Sequence, residues 1–284
     1  MRRGLAIALV ALTSCTYRPS LPADMIDLGH KGYDCESVVR GITDLNRQAD
    51  ERCRAYWQRQ VEDPRREGSH RHLDPPSREG VDFDPNSYFD VFLHVRPPET
   101  TVLDYVYCWF PGGGEPVLYL RHSTSVPFAT FEDYALVHGG PSAYRRWPQE
   151  LLEDLVLDGT PESYFELVVL DAIGGQFCLH WHANYFDTKI ITTRHGLEAL
   201  LTELEGETKT GTPITTRQKE QALAIDPRPL VGFRDDNTVV VQVVAFSHFG
   251  GFSRITYEID MSPPHKIRKR TPQVLVEYNC DVYY

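Results

Sequence analysis

The stretch Thr238-Val239-Val240-Val241-Gln242-Val243-Val244-Ala245-Phe246-Ser247-His248-Phe249-Gly250-Gly251-Phe252-Ser253-Arg254-Ile255-Thr256-Tyr257-Glu258-Ile259-Asp260-Met261 reads as two strands about the turn pair Gly250-Gly251. β-Branched and aromatic residues dominate it, as a pleated surface favours. Two glycines supply the positive φ angles that a two-residue hairpin turn demands. Pairing about them sets Phe246 opposite Ile255, Val244 opposite Tyr257 and Gln242 opposite Ile259, a largely apolar face. The reverse face sets Ser247 against Arg254 and Val243 against Glu258 and is mixed. One apolar face in a period of two predicts an antiparallel hairpin with one side buried.

Outward from this hairpin the same pattern recurs. Gly174-Gly175 predicts a second hairpin, with Leu170 opposite Leu179, Val168 opposite Trp181 and Ala172 opposite Phe177. Phe89, Val91, Leu93 and Val95 alternate with polar or aromatic neighbours as a strand does. Residues 102–110 and 116–121 form two further strand-like runs, joined by Pro111-Gly112-Gly113-Gly114-Glu115. That glycine run lacks the lysine and following helix of a phosphate cradle, so it reads as a turn. A last strand spans 274–278.

Helical signals interrupt the strands. Asp34 can cap a helix whose apolar stripe is Val38, Ile42, Leu45, Ala49, Cys53 and Tyr56, opposite a face of mixed charge. Thr130 with Asp133, Pro148, Thr193 and Thr215 with Gln218 each open a shorter helix. Leu197, Leu200, Leu201 and Leu204 follow helical spacing. The expectation is an α+β fold: a mostly antiparallel sheet, an N-terminal amphipathic helix and several shorter helices. Residues 62–86, polar and carrying Pro64, Pro75, Pro76 and Pro85, read as a long loop. His70 and His72 within it read as surface side chains.

The formal charge of −11 and the 41% hydrophobic content describe an acidic chain with enough apolar residues for a substantial core. An acidic surface repels nucleic-acid phosphate, so nucleic acid is not an expected partner. The run His265-Lys266-Ile267-Arg268-Lys269-Arg270 stands out against this background. Anionic headgroups are one reading of it, and charges guarding a sheet edge are the blander one.

One constellation suggests chemistry. In the second hairpin Cys178, His180 and His182 share a strand face, and Asp171 falls opposite Cys178. His180 and His182 are spaced to hold zinc, with a carboxylate or thiolate completing the shell. Asp171, Cys178 and His180 form the alternative, a cysteine nucleophile with base and orienter. His248 would join if the two hairpins are adjacent. No Gly-x-Ser-x-Gly elbow, His-Glu-x-x-His pair or dinucleotide fingerprint occurs.

The N-terminus carries an address. Met1-Arg2-Arg3 precedes the apolar run Leu5-Ala6-Ile7-Ala8-Leu9-Val10-Ala11, too short for a permanent span and typical of a secretion signal. Leu12-Thr13-Ser14-Cys15 then resembles the lipobox of bacterial lipoproteins. The resemblance implies cleavage before Cys15, a diacylglycerol on its sulfur and acylation of the new amine. It also implies an outer-membrane destination in a two-membrane cell, facing the periplasm or the cell surface, because Thr16 rather than aspartate follows. Residues 1–14 would then be signal peptide, 15–33 a tether and 34–284 one globular domain. Removal of Arg2 and Arg3 takes the formal charge of −11 to −13.

Outside the cytoplasm Cys35, Cys53, Cys108, Cys178 and Cys280 are disulfide candidates, an odd set that leaves one over. Cys35 and Cys53 lie at the two ends of five helical turns, about 27 Å apart, and cannot pair with each other if the helix is continuous. The segments around Phe249-Gly250-Gly251-Phe252 and Glu277-Tyr278-Asn279-Cys280 resemble uncharacterised bacterial proteins, which implies no activity. The expectation is a lipid-anchored envelope protein without a cofactor. It would be non-catalytic, structural or binding another envelope or secreted protein. The alternative is a zinc or cysteine enzyme built on Asp171, Cys178, His180 and His182.

Overall fold

In a computed structural model of the chain, residues 21–63, 73–110, 113–140, 150–181, 188–206 and 212–278 are described. The expected hairpin is the centre of the larger sheet. Strands β1 (Ile26–Asp27), β8 (Leu230–Arg234), β9 (Thr238–Ser247), β10 (Gly251–Asp260) and β11 (Ile267–Val276) lie in that order, and β7 (Lys189–Ile191) pairs β9 beyond the end of β8. Every pairing is antiparallel. The fold is α+β.

The register differs from the expected one. Phe246 faces Phe252 and Val243 faces Ile255, with His248, Phe249 and Gly250 forming the loop. Gly250 donates its N–H to the Ser247 carbonyl at 3.3 Å, and Gly251 takes φ 70°. A side chain on Gly251 would collide with the Val276 carbonyl of β11. The third strand thus presses against the turn and selects the longer loop. An odd slip exchanges which residues share a face. Val239, Val241, Val243, Tyr257 and Ile259 enter the main core, and Val244, Phe246 and Phe252 enter a second core. Both faces of β9 are therefore covered, where the sequence pattern suggested one.

The second expected hairpin is absent. Its first half is a helix, Pro161–Ile173. Thr160 caps it, accepting from the Ser163 N–H at 3.3 Å, and Pro161 opens it. Tyr164, Phe165, Leu167, Val168, Val169 and Leu170 are all buried. A helix buried on every side carries an unbroken apolar run, which periodicity cannot tell from a buried strand.

The long helix α1 (Cys35–Val61) is the expected one, capped by Asp34, which accepts from Ser37 N–H at 2.9 Å. Val38, Ile42, Ala49 and Cys53 are buried, while Arg47 pairs with Asp44 and Glu51 on the outer face. Shorter helices follow: α2 (Arg78–Val81), α3 (Tyr88–Val91), α4 (Phe131–Val137), α5 (Pro161–Ile173), α6 (Arg194–Glu205) and α7 (Thr216–Leu223). The capping signals at Thr130, Thr193 and Thr215 each open the helix expected of them. Pro148 lies outside the described residues.

Three segments depart from expectation. The tether does not reach residue 33: Ile26 pairs Val231, Leu28 is fully buried, and Pro22 and Met25 pack over Gly232. The loop at 62–86 contains α2 and buries Val81 and Phe83, with 64–72, including His70 and His72, outside the described residues. The strand expected from Phe89 to Val95 is mostly helix α3, because Asp84 accepts from Asn86 N–H at 3.0 Å and Pro85 starts a helical turn; only β2 (Val95–Arg96) remains, paired with β5 (Val156–Leu157).

The smaller sheet has the order β3 (Thr101–Phe110), β4 (Gly113–His122) and β6 (His180–Trp181). Gly113 and Gly114 belong to β4 rather than to the loop. Gly114 lies under Trp109, whose ring a side chain there would approach to 2.8 Å. The basic run sits on β11, at the edge of the larger sheet. Arg268 pairs Asp260, Arg270 pairs Asp171, and Lys266 lies 3.8 Å from Glu153. Edge guarding by internally balanced charges accounts for it.

Candidate functional site

The helix at Pro161–Ile173 separates the residues that a hairpin would have gathered. Asp171 points to β11, where Arg270 Nε donates to it at 2.8 Å. Cys178 forms a disulfide with Cys53 of α1, Cα atoms 5.5 Å apart, so it offers no thiolate nucleophile. Its N–H donates to Asp50 at 2.6 Å, and its carbonyl accepts from the Tyr107 hydroxyl at 2.9 Å.

His180 pairs with Gly114 across β4 and β6, its ring 5.2 Å from Trp57 and 5.1 Å from Trp109. Burial lowers its pKa, and its Nδ1 has no hydrogen-bond partner among the described residues. His182, like Cys15 and Cys280, lies outside the described residues. The His248 ring meets those of Phe246 and Tyr278 edge-on beside the larger sheet, apart from His180. Among the described residues no three His, Cys, Asp or Glu side chains converge as a metal site requires. Cys35 and Cys108 are free and buried, and burial pushes their thiols up to about 12 and about 11. Such thiols are unreactive.

The arrangement with the character of a binding site lies elsewhere, at the free edge of β3. A cleft of about 930 Å³ opens there between α1, the α2 segment and the loop before α4. Its floor holds Asp104, 1% exposed in the middle of an apolar strand. Arg121 Nε donates to Asp104 at 2.6 Å, and Arg121 Nη1 donates to the Ser125 carbonyl at 2.6 Å. Arg78 lies 3.8 Å from Asp104 and also pairs with Asp84. Arg52 of α1 lies 3.7 Å from the Asp82 carboxylate. Val126, 89% exposed, and Pro127 form an apolar lip.

Two features mark this edge. Asn86 accepts from Leu103 N–H at 2.7 Å and donates to the Leu103 carbonyl at 2.8 Å, occupying the place of a neighbouring strand. Tyr105, 3% exposed and lining the cleft, has a hydroxyl with no hydrogen-bond partner among the described residues. Burial raises its pKa, so the phenol stays protonated. An unpaired buried hydroxyl beside charged side chains is costly and uncommon. The arrangement suits recognition of a polar, partly apolar segment rather than proton transfer.

A second groove, about 710 Å³, runs between α1, β7 and α6 and contains Asp50. Burial raises Asp50 to about 6, against the opposing effect of the Cys178 N–H. Sequence reading passed over the β3 cleft. The available signal was Asp104, an acid inside the run Val102-Leu103-Asp104-Tyr105-Val106, where burial needs a cationic partner. No protein family, curated protein or solved structure matches the chain.

Proposed function

We propose that the chain is a lipid-anchored protein of the bacterial cell envelope that binds another envelope or secreted protein and performs no chemistry of its own. Two independent features support the placement. Leu12-Thr13-Ser14-Cys15 follows a short apolar run after arginines, as a lipidation signal does. The Cys53–Cys178 disulfide joins segments 125 residues apart, and such crosslinks persist in oxidising compartments. The disulfide is the single observation that carries the placement beyond the signal itself. Thr16 after Cys15 favours the outer membrane where the cell has one.

The binding part of the reading rests on the β3 cleft. Arginines, an apolar lip and buried aromatic rings are the side chains that protein interfaces favour. Leu136 and Val137, on α4 beyond the lip, are 81% and 68% exposed, and exposed apolar groups of this kind mark contact surfaces. The loss of Cys178 to the disulfide argues against a cysteine enzyme.

Mass spectrometry of the mature N-terminal peptide from the native host tests the placement. The expected result is a diacylglyceryl group on Cys15 together with Cys53 and Cys178 resistant to alkylation until reduced. A free Cys15 thiol, or a mature N-terminus elsewhere, would overturn it. Photo-crosslinking in cells from a reporter at Val126 is expected to yield one discrete protein adduct that an Arg78→Ala change weakens. Absence of any adduct would overturn the binding part.

A further inference from the structure

The chain is locked onto the larger sheet very soon after Cys15. Pro22 and Met25 pack over Gly232, Ile26 pairs Val231, and Leu28 is fully buried. Between Cys15 and Leu21 there are only six Cα steps, which reach at most about 20–22 Å even when fully extended. A folded body of about 270 residues has a radius of gyration near 18 Å and hence a diameter of about 45–50 Å. The connection is less than half the width of what it holds. A tether reaching residue 33 would have spanned about 60 Å and let any face meet the membrane. The packing of Pro22 to Leu28 removes that freedom.

The direction of the strands says which face is near. β1 is antiparallel to β8, so the chain before Ile26 runs toward Arg234 and the turn Asp235-Asp236-Asn237. We propose that this end of the larger sheet, carrying exposed Asp24 and the Asp235-Asp236-Asn237 turn, is the surface apposed to the lipid bilayer. The inference rests on lipidation of Cys15.

Charge does not draw this face to lipid. Arg234 lies between Asp236 and Glu258, and Arg268 pairs with Asp260. Among the described residues of this end the cations are paired with carboxylates, so the apposition is set by covalent reach and is insensitive to salt. The basic run begins at this same end, where Met261 donates its N–H to the Asn237 carbonyl, but Arg268 and Arg270 are paired with Asp260 and Asp171 and Lys266 lies 3.8 Å from Glu153. Tyr164, near the start of α5, donates to the Met261 carbonyl at the bilayer end. From there α1 follows α5 away, Tyr33 bonding Glu166 and Asn46 bonding the Ile173 carbonyl, which carries the β3 cleft to the far side. Arg52 stands 17 residues along that helix from Cys35, about 26 Å of rise. A partner would therefore be met on the side turned from the membrane.

Energy transfer to labelled lipid tests the orientation. The full-length protein, expressed with its own leader, is reconstituted into vesicles of phosphatidylethanolamine and phosphatidylglycerol bearing an acceptor dye on a headgroup. A genetically encoded fluorescent amino acid replaces Asp235 in one sample and Asp82, whose side chain is 99% exposed in the cleft, in another. The donor at 235 is expected to lose at least twice the fraction of emission lost by the donor at 82, at low and high salt alike. A flexible insert of about 20 residues after Thr16 is expected to bring the two losses together, since its mean span of about 25 Å relaxes the constraint. Equal losses without the insert, or a greater loss at 82, would overturn the orientation while leaving lipidation standing. Failure of the protein to float with the vesicles would instead overturn lipidation, and the orientation with it.

Discussion

The two main sheets are stabilised by different means. In the larger one, β9 is apolar along nearly its whole length, and helices α5 and α6 supply a core on each face. Its buried acid, Glu258 of β10, is paired with Arg234 of β8. The smaller sheet has three strands among the described residues; Leu103, Tyr105, Tyr107 and Leu118 on one face join the main core, and the other face carries a satellite core under α4. Its edge is held by Asp104 between arginines, by Asn86 imitating a strand, and by a disulfide just before β6. The groove against β7 of the larger sheet is lined largely by packed strand and helix side chains, whereas the cleft at the β3 edge is floored by the Asp104–Arg121 pair. The candidate binding site falls where the structure relies on pairing rather than packing.

Several changes would break or sharpen that contrast. Reducing the Cys53–Cys178 bond, or replacing both residues by alanine, opens a 125-residue loop and is expected to cost about 4–5 kcal/mol. Denaturant unfolding with and without reductant measures it. Hydrogen exchange should accelerate in β3, β4 and β6 before it does in β9 and β10. Uniform acceleration across both sheets would show that they do not differ as described.

Asp104→Ala leaves Arg121 half-buried beside an empty site, and breaking such a pair costs about 3–4 kcal/mol. Thermal unfolding of the variant should show the loss, and Asp104→Ala/Arg121→Met should recover part of it. In the larger sheet the sensitive point is backbone. Gly251→Ala must hold a side chain at φ 70° against the Val276 carbonyl, at about 2 kcal/mol or more. Its unfolding midpoint should fall, with the smaller sheet's exchange unchanged.

The smallest expected effect concerns pH. Burial raises Asp50 to about 6 in the folded protein, above its ordinary value of 3.8. Between those values the folded state binds more protons than the unfolded state, so this group makes stability rise as pH falls from about 6 to 4. Asp50→Asn should flatten that part of the stability–pH curve. An unchanged slope would mean that burial does not hold Asp50 above its ordinary value in the folded protein.

Much of the fold was legible from residues close in sequence. The stripe along α1, the caps at Asp34, Thr130, Thr193 and Thr215, and the strands on either side of Gly250-Gly251 all reflect interactions within a few positions. The candidate site was much less legible. Asp171, Cys178 and His180 were grouped by assuming a strand where helix α5 stands, and Thr160-Pro161 was the overlooked start signal. Arg52, Arg78 and Arg121 come from three distant segments and meet at Asp104 or beside it only after folding.

The order of the residues alone determined the class of secondary structure, the acidic charge and the lipobox-like pattern that ends at Cys15, because propensity, capping and motif are local properties. The tertiary structure alone decided the pairing of Cys53 with Cys178, the loop length at Gly251 and the early locking of Pro22 to Leu28. Each of these depends on which distant surface arrives alongside, and apolar burial is non-directional, so the local pattern does not name the partner.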